Sequence, residues 1–221
     1  MGCGATAAEK KRDQKYGKFN WEELDKTLPS ELSAFDKQKR LTIWTRDMGF
    51  QSVSVSFKDI EAGMKKIPGL PPEILTHVVL KAAFRVSRGA YEGLYDDKED
   101  PENTKMQWNE FRIFLIFVKQ YFRFYVLFDS LDDSGDGQIQ FGEFKQSLDY
   151  LKKWGVDIKD PEKEFKLIDT NGNNNLSFKE FTKWAIQKSL SNEENGGKDV
   201  MDEAARDILE SKMKEEEEAE K

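Results

Sequence analysis

The chain has one cysteine, Cys3, and one histidine, His77. A single cysteine excludes an intramolecular disulfide and fits a reducing compartment. Together the two residues leave no Cys/His set for zinc, and no Ser/His or Cys/His pairing for nucleophilic catalysis. His77 lies in a run that reads as helix, with Ile74, Leu75, Val78 and Val79, where a histidine is ordinarily structural. Glycine loops of the Walker or dinucleotide type are missing as well, so an enzyme reading finds no support. No apolar leader opens the sequence, so a secretory signal of the usual form is not expected. The most apolar run, Phe111 to Phe128, has about the length of a membrane span. It carries Arg112, Lys119, Gln120 and Arg123, which are costly in lipid, so a buried helix is the better reading. Positive charge is not in excess: the formal net charge is −7, unfavourable for non-specific nucleic-acid binding.

What the chain does have is oxygen ligands at regular spacing. Asp132, Ser134 and Asp136 occupy positions 1, 3 and 5 of a twelve-residue run ending at Glu143, with Gly137 at position 6. This is the EF-hand calcium loop. Ca²⁺ takes six to eight oxygens at roughly 2.3–2.6 Å. The side chains of Asp132, Ser134 and Asp136, the carbonyl of Gln138, Gln140 directly or through water, and both oxygens of Glu143 would supply them. Gly137 makes the sharp turn that needs positive φ. A second run, Asp169 to Glu180, repeats the pattern 37 residues later, with Asn171, Asn173 and Asn175 at positions 3, 5 and 7. That interval holds an exit helix, a linker and an entry helix, and internal repetition is stronger evidence than either motif alone. Asp160-Pro161 should cap the second entry helix. Position 8 of each loop, Ile139 and Leu176, should lie in short paired strands. The second loop has Asn174 where glycine is usual, and Asn tolerates the left-handed conformation.

The two loops differ in charge. Asp132, Asp136 and Glu143 give the first three carboxylates, whereas the second has Asp169 and Glu180 with neutral Asn171 and Asn173. Fewer ligand charges attract a divalent cation less, so loop 132–143 is the stronger site.

Upstream, the sequence holds traces of the same repeat. In EF-hand register, Met48 to Asp59 puts Val55 at position 8 and Asp59 at position 12, but Met48, Phe50 and Ser52 fall at positions 1, 3 and 5, where they cannot together bind calcium. A second decayed hand ends at Glu110 with Met106 at position 8, after a long polar insertion, 89–104. Helix-spaced Trp21, Leu24 and Leu28, then Leu32, Phe35, Leu41 and Trp44, precede them, broken at Pro29. In the C-terminal half, Phe144, Leu148, Leu151 and Trp154 should line one face of an exit helix ended by Gly155.

The termini carry other signals. Met1-Gly2-Cys3-Gly4-Ala5-Thr6 fits the N-myristoylation pattern, with Gly2 as acceptor and Cys3 placed for palmitoylation. One myristoyl chain anchors only marginally. An acyl group on Cys3, or attraction of Lys10, Lys11, Arg12, Lys15 and Lys18 to anionic inner-leaflet lipid, would be the second signal. Residues 191–199 read as a linker. Residues 200–214 read as an amphipathic piece that either docks on an EF-hand groove or frays in solvent, followed by a solvated Glu-rich run.

The acyl start at Gly2 and Cys3, the helix at Asn20-Trp21-Glu22, the decayed hands, Glu110-Phe111-Arg112, and a final pair of hands containing Trp154-Gly155-Val156-Asp157 together resemble the calflagins, flagellar calcium-binding proteins of trypanosomes. The resemblance spans roughly residues 18–190 and is most specific from Glu110 to Trp184. It implies acylation at Gly2 and Cys3, calcium at the two loops, and a place on the flagellar membrane. The chain departs from the family in its first loop, which has lost more of the ligand pattern, at Asn174, and in its Glu-rich end.

The expected fold is all-α: four EF-hand-like helix-loop-helix units in two lobes, with short strands joining paired loops. Residues 1–18 would be a flexible, acylated basic segment, 19–110 a degenerate lobe, 111–190 the calcium-binding pair, and 191–221 a linker and charged helix. The expected role is a calcium sensor at the flagellar or ciliary membrane, with an unidentified protein target. A structural axonemal protein with weak or constitutive calcium binding is the alternative, and a plain buffer a third reading. Because Asp136 is charged and Asn173 is not, Asp136→Ala should remove more calcium affinity than Asn173→Ala. Equal losses in a calcium titration would contradict the ranking.

Overall fold

The structure, a computed structural model, describes residues 5–88 and 104–190. It is mostly helical, with two short two-stranded sheets. The described chain divides into two compact units. One gathers residues up to Phe19 with those from Arg123 onward; the other holds Asn20–Phe122.

In the Asn20–Phe122 unit, α2 (Trp21–Thr27) starts at Asn20, whose side chain accepts from Glu23 N. Helix α3 (Ala34–Thr42) starts at Ser33, and the break between the two falls at Leu28-Pro29-Ser30. A π-turn, Ile43–Asp47, follows α3, and then β1 (Ser54–Ser56) leads into α4 (Phe57–Met64). Ile74 and Leu75 fall in and after a 3₁₀ turn at Pro72–Ile74, and α5 (His77–Ser87) begins only at the histidine. His77 is exposed, its Nδ1 2.8 Å from Glu61 Oε1. Strand β2 (Lys105–Gln107) pairs antiparallel with β1, placing Val55 opposite Met106. In the 48–59 segment, Met48 and Phe50 are packing residues. Met48 is only 1% exposed, and the Phe50 ring stands edge-on to Trp44 at 4.9 Å. Gly63 makes room for both: a Cβ there would meet the Met48 and Phe50 side chains at 2.6 and 2.9 Å.

Helix α6 (Phe111–Leu131) is the 21-residue apolar run. Its cations have work inside the fold. Lys119, 5% exposed, donates to Ser30 Oγ at 2.8 Å and to Asp25 Oδ1 at 3.1 Å, and Arg112 donates to the Ser30 carbonyl at 3.2 Å. They satisfy the chain reversal after α2, which buried polar groups require. No helix among the described residues is long and apolar enough to cross a membrane.

The other unit holds the end of α6, β3 (Ile139–Gln140), α7 (Phe141–Gln146), α8 (Leu148–Lys153), α9 (Pro161–Ile168), β4 (Asn175–Leu176) and α10 (Phe178–Leu190). Asp160 caps α9 and Pro161 is its first residue. Phe128, Phe144, Phe165, Phe178, Phe181 and Trp184 pack as its core, edge to face except for the tilted Phe181–Trp184 pair. Such pairs add roughly 0.5–1.5 kcal/mol each beyond burial.

Two sequence expectations need correction. The exit helix after the first loop is not continuous. Ser147 Oγ donates to the Glu143 carbonyl at 2.9 Å, and the chain breaks there into α7 and α8. The Ser147 N–H still donates to the Glu143 carbonyl at 3.1 Å, so the break lies in the backbone of Ser147, at φ −93° and ψ 2°. Phe144 and Leu151 are fully buried, but Trp154, just past α8, is 39% exposed. The N-terminal segment is also not a flexible leader over its described length: Ala7–Tyr16 form helix α1. Thr6 and Glu9 close a reciprocal capping box, with Glu9 N donating to Thr6 Oγ1 at 3.2 Å and Thr6 N to Glu9 Oε2 at 2.8 Å. Residues 1–4, with Gly2 and Cys3, most of the 89–104 insertion, and 191–221 lie outside the described residues.

Candidate metal centre

The loops begin where helices end. Asp132 follows α6 and Asp169 follows α9, and each loop closes into a strand whose next residues start a helix. Ile139 pairs with Leu176 across β3 and β4, both fully buried, so position 8 of one loop faces position 8 of the other.

Within loop 132–143 the carboxylates point inward and are held by the loop's own amides. Asp132, 4% exposed, accepts from Gly135 N at 2.7 Å on Oδ1 and from Gly137 N at 2.8 Å on Oδ2. Asp136 Oδ1 accepts from Gln138 N at 2.9 Å, and Gln140 Nε2 donates to its Oδ2 at 3.3 Å. Glu143 reaches across the loop: Oε1 accepts from Ser134 N and Oε2 from Gln140 N, both at 2.8 Å. Ser134 Oγ donates to Asp132 Oδ1 at 3.2 Å. Gly137 has φ of +82°.

Loop 169–180 repeats most of this frame, except that the second amide on its first carboxylate comes from position 5, Asn173 N, at 3.1 Å. Asp169 Oδ2 accepts from Asn174 N at 2.8 Å, as Asp132 does from Gly137. Asn173 Oδ1 accepts from Asn175 N at 2.8 Å, as Asp136 does from Gln138. Glu180 accepts from Asn171 N at 3.2 Å and Ser177 N at 3.0 Å, as Glu143 does from Ser134 and Gln140. Asn174 has φ of +62°, the one described non-glycine residue with positive φ. The two loops differ in the grip on the last carboxylate. Glu180 also accepts from Thr170 N and Thr170 Oγ1, each at 3.1 Å, and from Ser177 Oγ at 2.6 Å. Burial opposes the Glu180 charge, but the bonds from Ser177, Asn171 and Thr170 outweigh it and hold the carboxyl below its ordinary range.

The donor set fits a hard cation. All candidate ligands are oxygens: carboxylates, a hydroxyl, amide carbonyls and the backbone carbonyls at Gln138 and Asn175. Among the described residues no three His, Cys, Asp or Glu side chains converge into a metal cage by themselves. The loops reach a coordination sphere only by mixing carboxylates with neutral oxygens, as calcium loops do. Such a sphere would be held by Asp132, Ser134, Asp136, Gln138, Gln140 and Glu143 in one loop, and Asp169, Asn171, Asn173, Asn175 and Glu180 in the other. Three residues in contact with the loops escaped the sequence reading. Thr170 and Ser177 bind Glu180, and Lys11 Nζ donates to the backbone carbonyl of Asp132. Ser177 sits at position 9, where a ligand or its helper is expected. Nothing in the pattern around Lys11 points to a loop 121 residues away.

The EF-hand profile matches residues 124–148 and 162–183. The flagellar calcium-binding protein TB-17 of Trypanosoma brucei brucei is 30% identical over 187 residues, 81% of this chain and 78% of that protein. The flagellar calcium-binding protein TB-24 of the same organism is 30% identical over 187 residues, covering 81% and 84% of the two chains. The flagellar calcium-binding protein of Trypanosoma cruzi is 27% identical over 173 residues, covering 77% and 80%.

Asn174 is fixed in the left-handed region by its bond to Asp169, so the side chain decides the strain there. Asn174→Gly should leave stability within about 1 kcal/mol of the parent, whereas the β-branched Asn174→Val should lower it by roughly 1–2 kcal/mol. Denaturant unfolding measures both, and a valine variant as stable as the parent would contradict the reading.

Proposed function

Because the chain belongs to the calflagin family of flagellar calcium-binding proteins, we propose that it is a calcium sensor of the flagellum, held at the cytoplasmic face of the flagellar membrane by acyl groups on Gly2 and Cys3. The observation that carries the sensor reading is the shared hydrogen-bond frame of loops 132–143 and 169–180, joined at Ile139 and Leu176. Two loops coupled through one strand pair transmit a change in either to both exit helices, α7 and α10. Calcium would draw Glu143 and Glu180 onto the ion, reorient those helices and expose part of the aromatic core to a target.

The Asn20–Phe122 half is, in this reading, a pair of hands that kept its scaffold and lost its ion. Val55 still faces Met106, and Asp59 and Glu110 still cap position 9, accepting from Ser56 N at 3.1 Å and Gln107 N at 2.7 Å. Met48 and Phe50 have exchanged ion ligation for packing.

The membrane part rests on the Gly2-Cys3 sequence and the adjacent basic residues. In flagellated cells fed labelled myristate, the parent chain should take up label and Gly2→Ala should not. Mild detergent should release the parent from isolated flagella. Equal labelling of both chains, or retention of the parent with the axonemal pellet, would move the protein off the membrane and onto the axoneme.

A further inference from the structure

Helix α1 lies outside both loops yet touches both sides of the 132–143 hand. Ala8, Lys11, Arg12, Lys15 and Tyr16 fall at i, i+3, i+4, i+7 and i+8, a single helical face. Ala8 and Tyr16 are buried. On the entering side, Lys15 Nζ lies 2.8 Å from Asp129 Oδ1, and the Tyr16 hydroxyl donates to Asp129 Oδ2 at 3.1 Å. Asp129 is in the last turn of α6. Lys11 Nζ donates to the carbonyl of Asp132, the first loop residue. On the exit side, the Arg12 guanidinium stands 5.7 Å from the Tyr150 ring centroid, and Lys153 Nζ pairs with Glu9 Oε1 at 2.8 Å. Both partners belong to α8. The Lys153 ammonium and the Thr6 backbone N–H hold the Glu9 carboxyl down to about 2, so this link stays charged at neutral pH.

We propose that α1 is an internal brace on the 132–143 hand that competes with calcium. This rests on the calcium reading of that loop. Two features set the sign. The Lys11 ammonium sits on the first loop residue, beside the place of a divalent cation, and like charges repel. The brace also spans α6 and α8, whose relative angle changes when a sensor hand opens. Docking of α1 therefore weakens calcium binding, and by reciprocity calcium weakens docking.

Calorimetric titration of the full chain in a Glu180→Gln background isolates loop 132–143. There Lys11→Met should tighten calcium binding by about 5- to 10-fold, at the lower end of the usual span of coupling between sites. Loss of a nearby positive charge alone would act in the same direction, so Glu9→Lys separates the two. It adds a positive charge but cuts the link to Lys153. The brace predicts tighter binding, by about five-fold, and return to the parent value when Lys153→Glu is added. Weaker or unchanged binding in Glu9→Lys overturns the brace and leaves the calcium reading intact. No calcium binding in the Glu180→Gln parent overturns both. In the unmutated chain, calcium should speed hydrogen exchange across residues 7–16; unchanged or slower exchange overturns the proposal without any variant.

Discussion

One contact recurs at every strand-to-helix junction of the paired loops: a carboxylate that accepts the backbone N–H three residues before it. Asp59 does this for Ser56, Glu110 for Gln107, Glu143 for Gln140 and Glu180 for Ser177. The contact satisfies a donor that the helix start would leave unpaired, and it places a negative charge at the positive end of the helix. In the last two cases the other oxygen crosses the loop to the amide at position 3. One side chain thus fixes where the helix begins and how the loop folds back over it. Asp59, one methylene shorter, bonds Ser56 through both its backbone N–H and its hydroxyl.

This constraint ties local structure to calcium. A bidentate glutamate on the ion must loosen its hold on the loop amides, so binding is set against bonds the fold already makes. The grip is heavier on Glu180, with Thr170 and the Ser177 hydroxyl added, and loop 169–180 also has one carboxylate fewer among its candidate ligands. Both differences work against calcium there. In loop 132–143 the amides of Ser134 and Gln140 hold Glu143, and the proposed brace adds the cations of α1 from outside the loop.

Much of this was legible in the sequence because the physics was local. Asp, Ser, Asn, Gly and Glu at fixed intervals specify a loop without reference to the rest of the chain. Asn174 takes the left-handed conformation because position 6 requires it, and Asp160-Pro161 caps α9 by short-range preference alone. The strand pairs at Val55–Met106 and Ile139–Leu176 follow once each loop is in register. What the sequence concealed depends on tertiary contacts. Lysines at 11 and 15 look like a solvated leader until Asp129 and Asp132 are brought beside them. The Thr6-to-Glu9 capping box was a local sign of α1 that went unread. Ser147 looks neutral in a helix pattern, yet its backbone leaves the helical conformation and divides the exit helix. Arg112 and Lys119 argued against lipid, but nothing in the pattern indicated that they hold Ser30.

The most direct test is the calcium stoichiometry of the full chain, by calorimetry, with Glu143→Gln beside it. Two sites of unequal affinity, the tighter in the micromolar range typical of sensor hands and absent from Glu143→Gln, are predicted. No binding below millimolar calcium, or a tighter site that survives the substitution, would contradict the account.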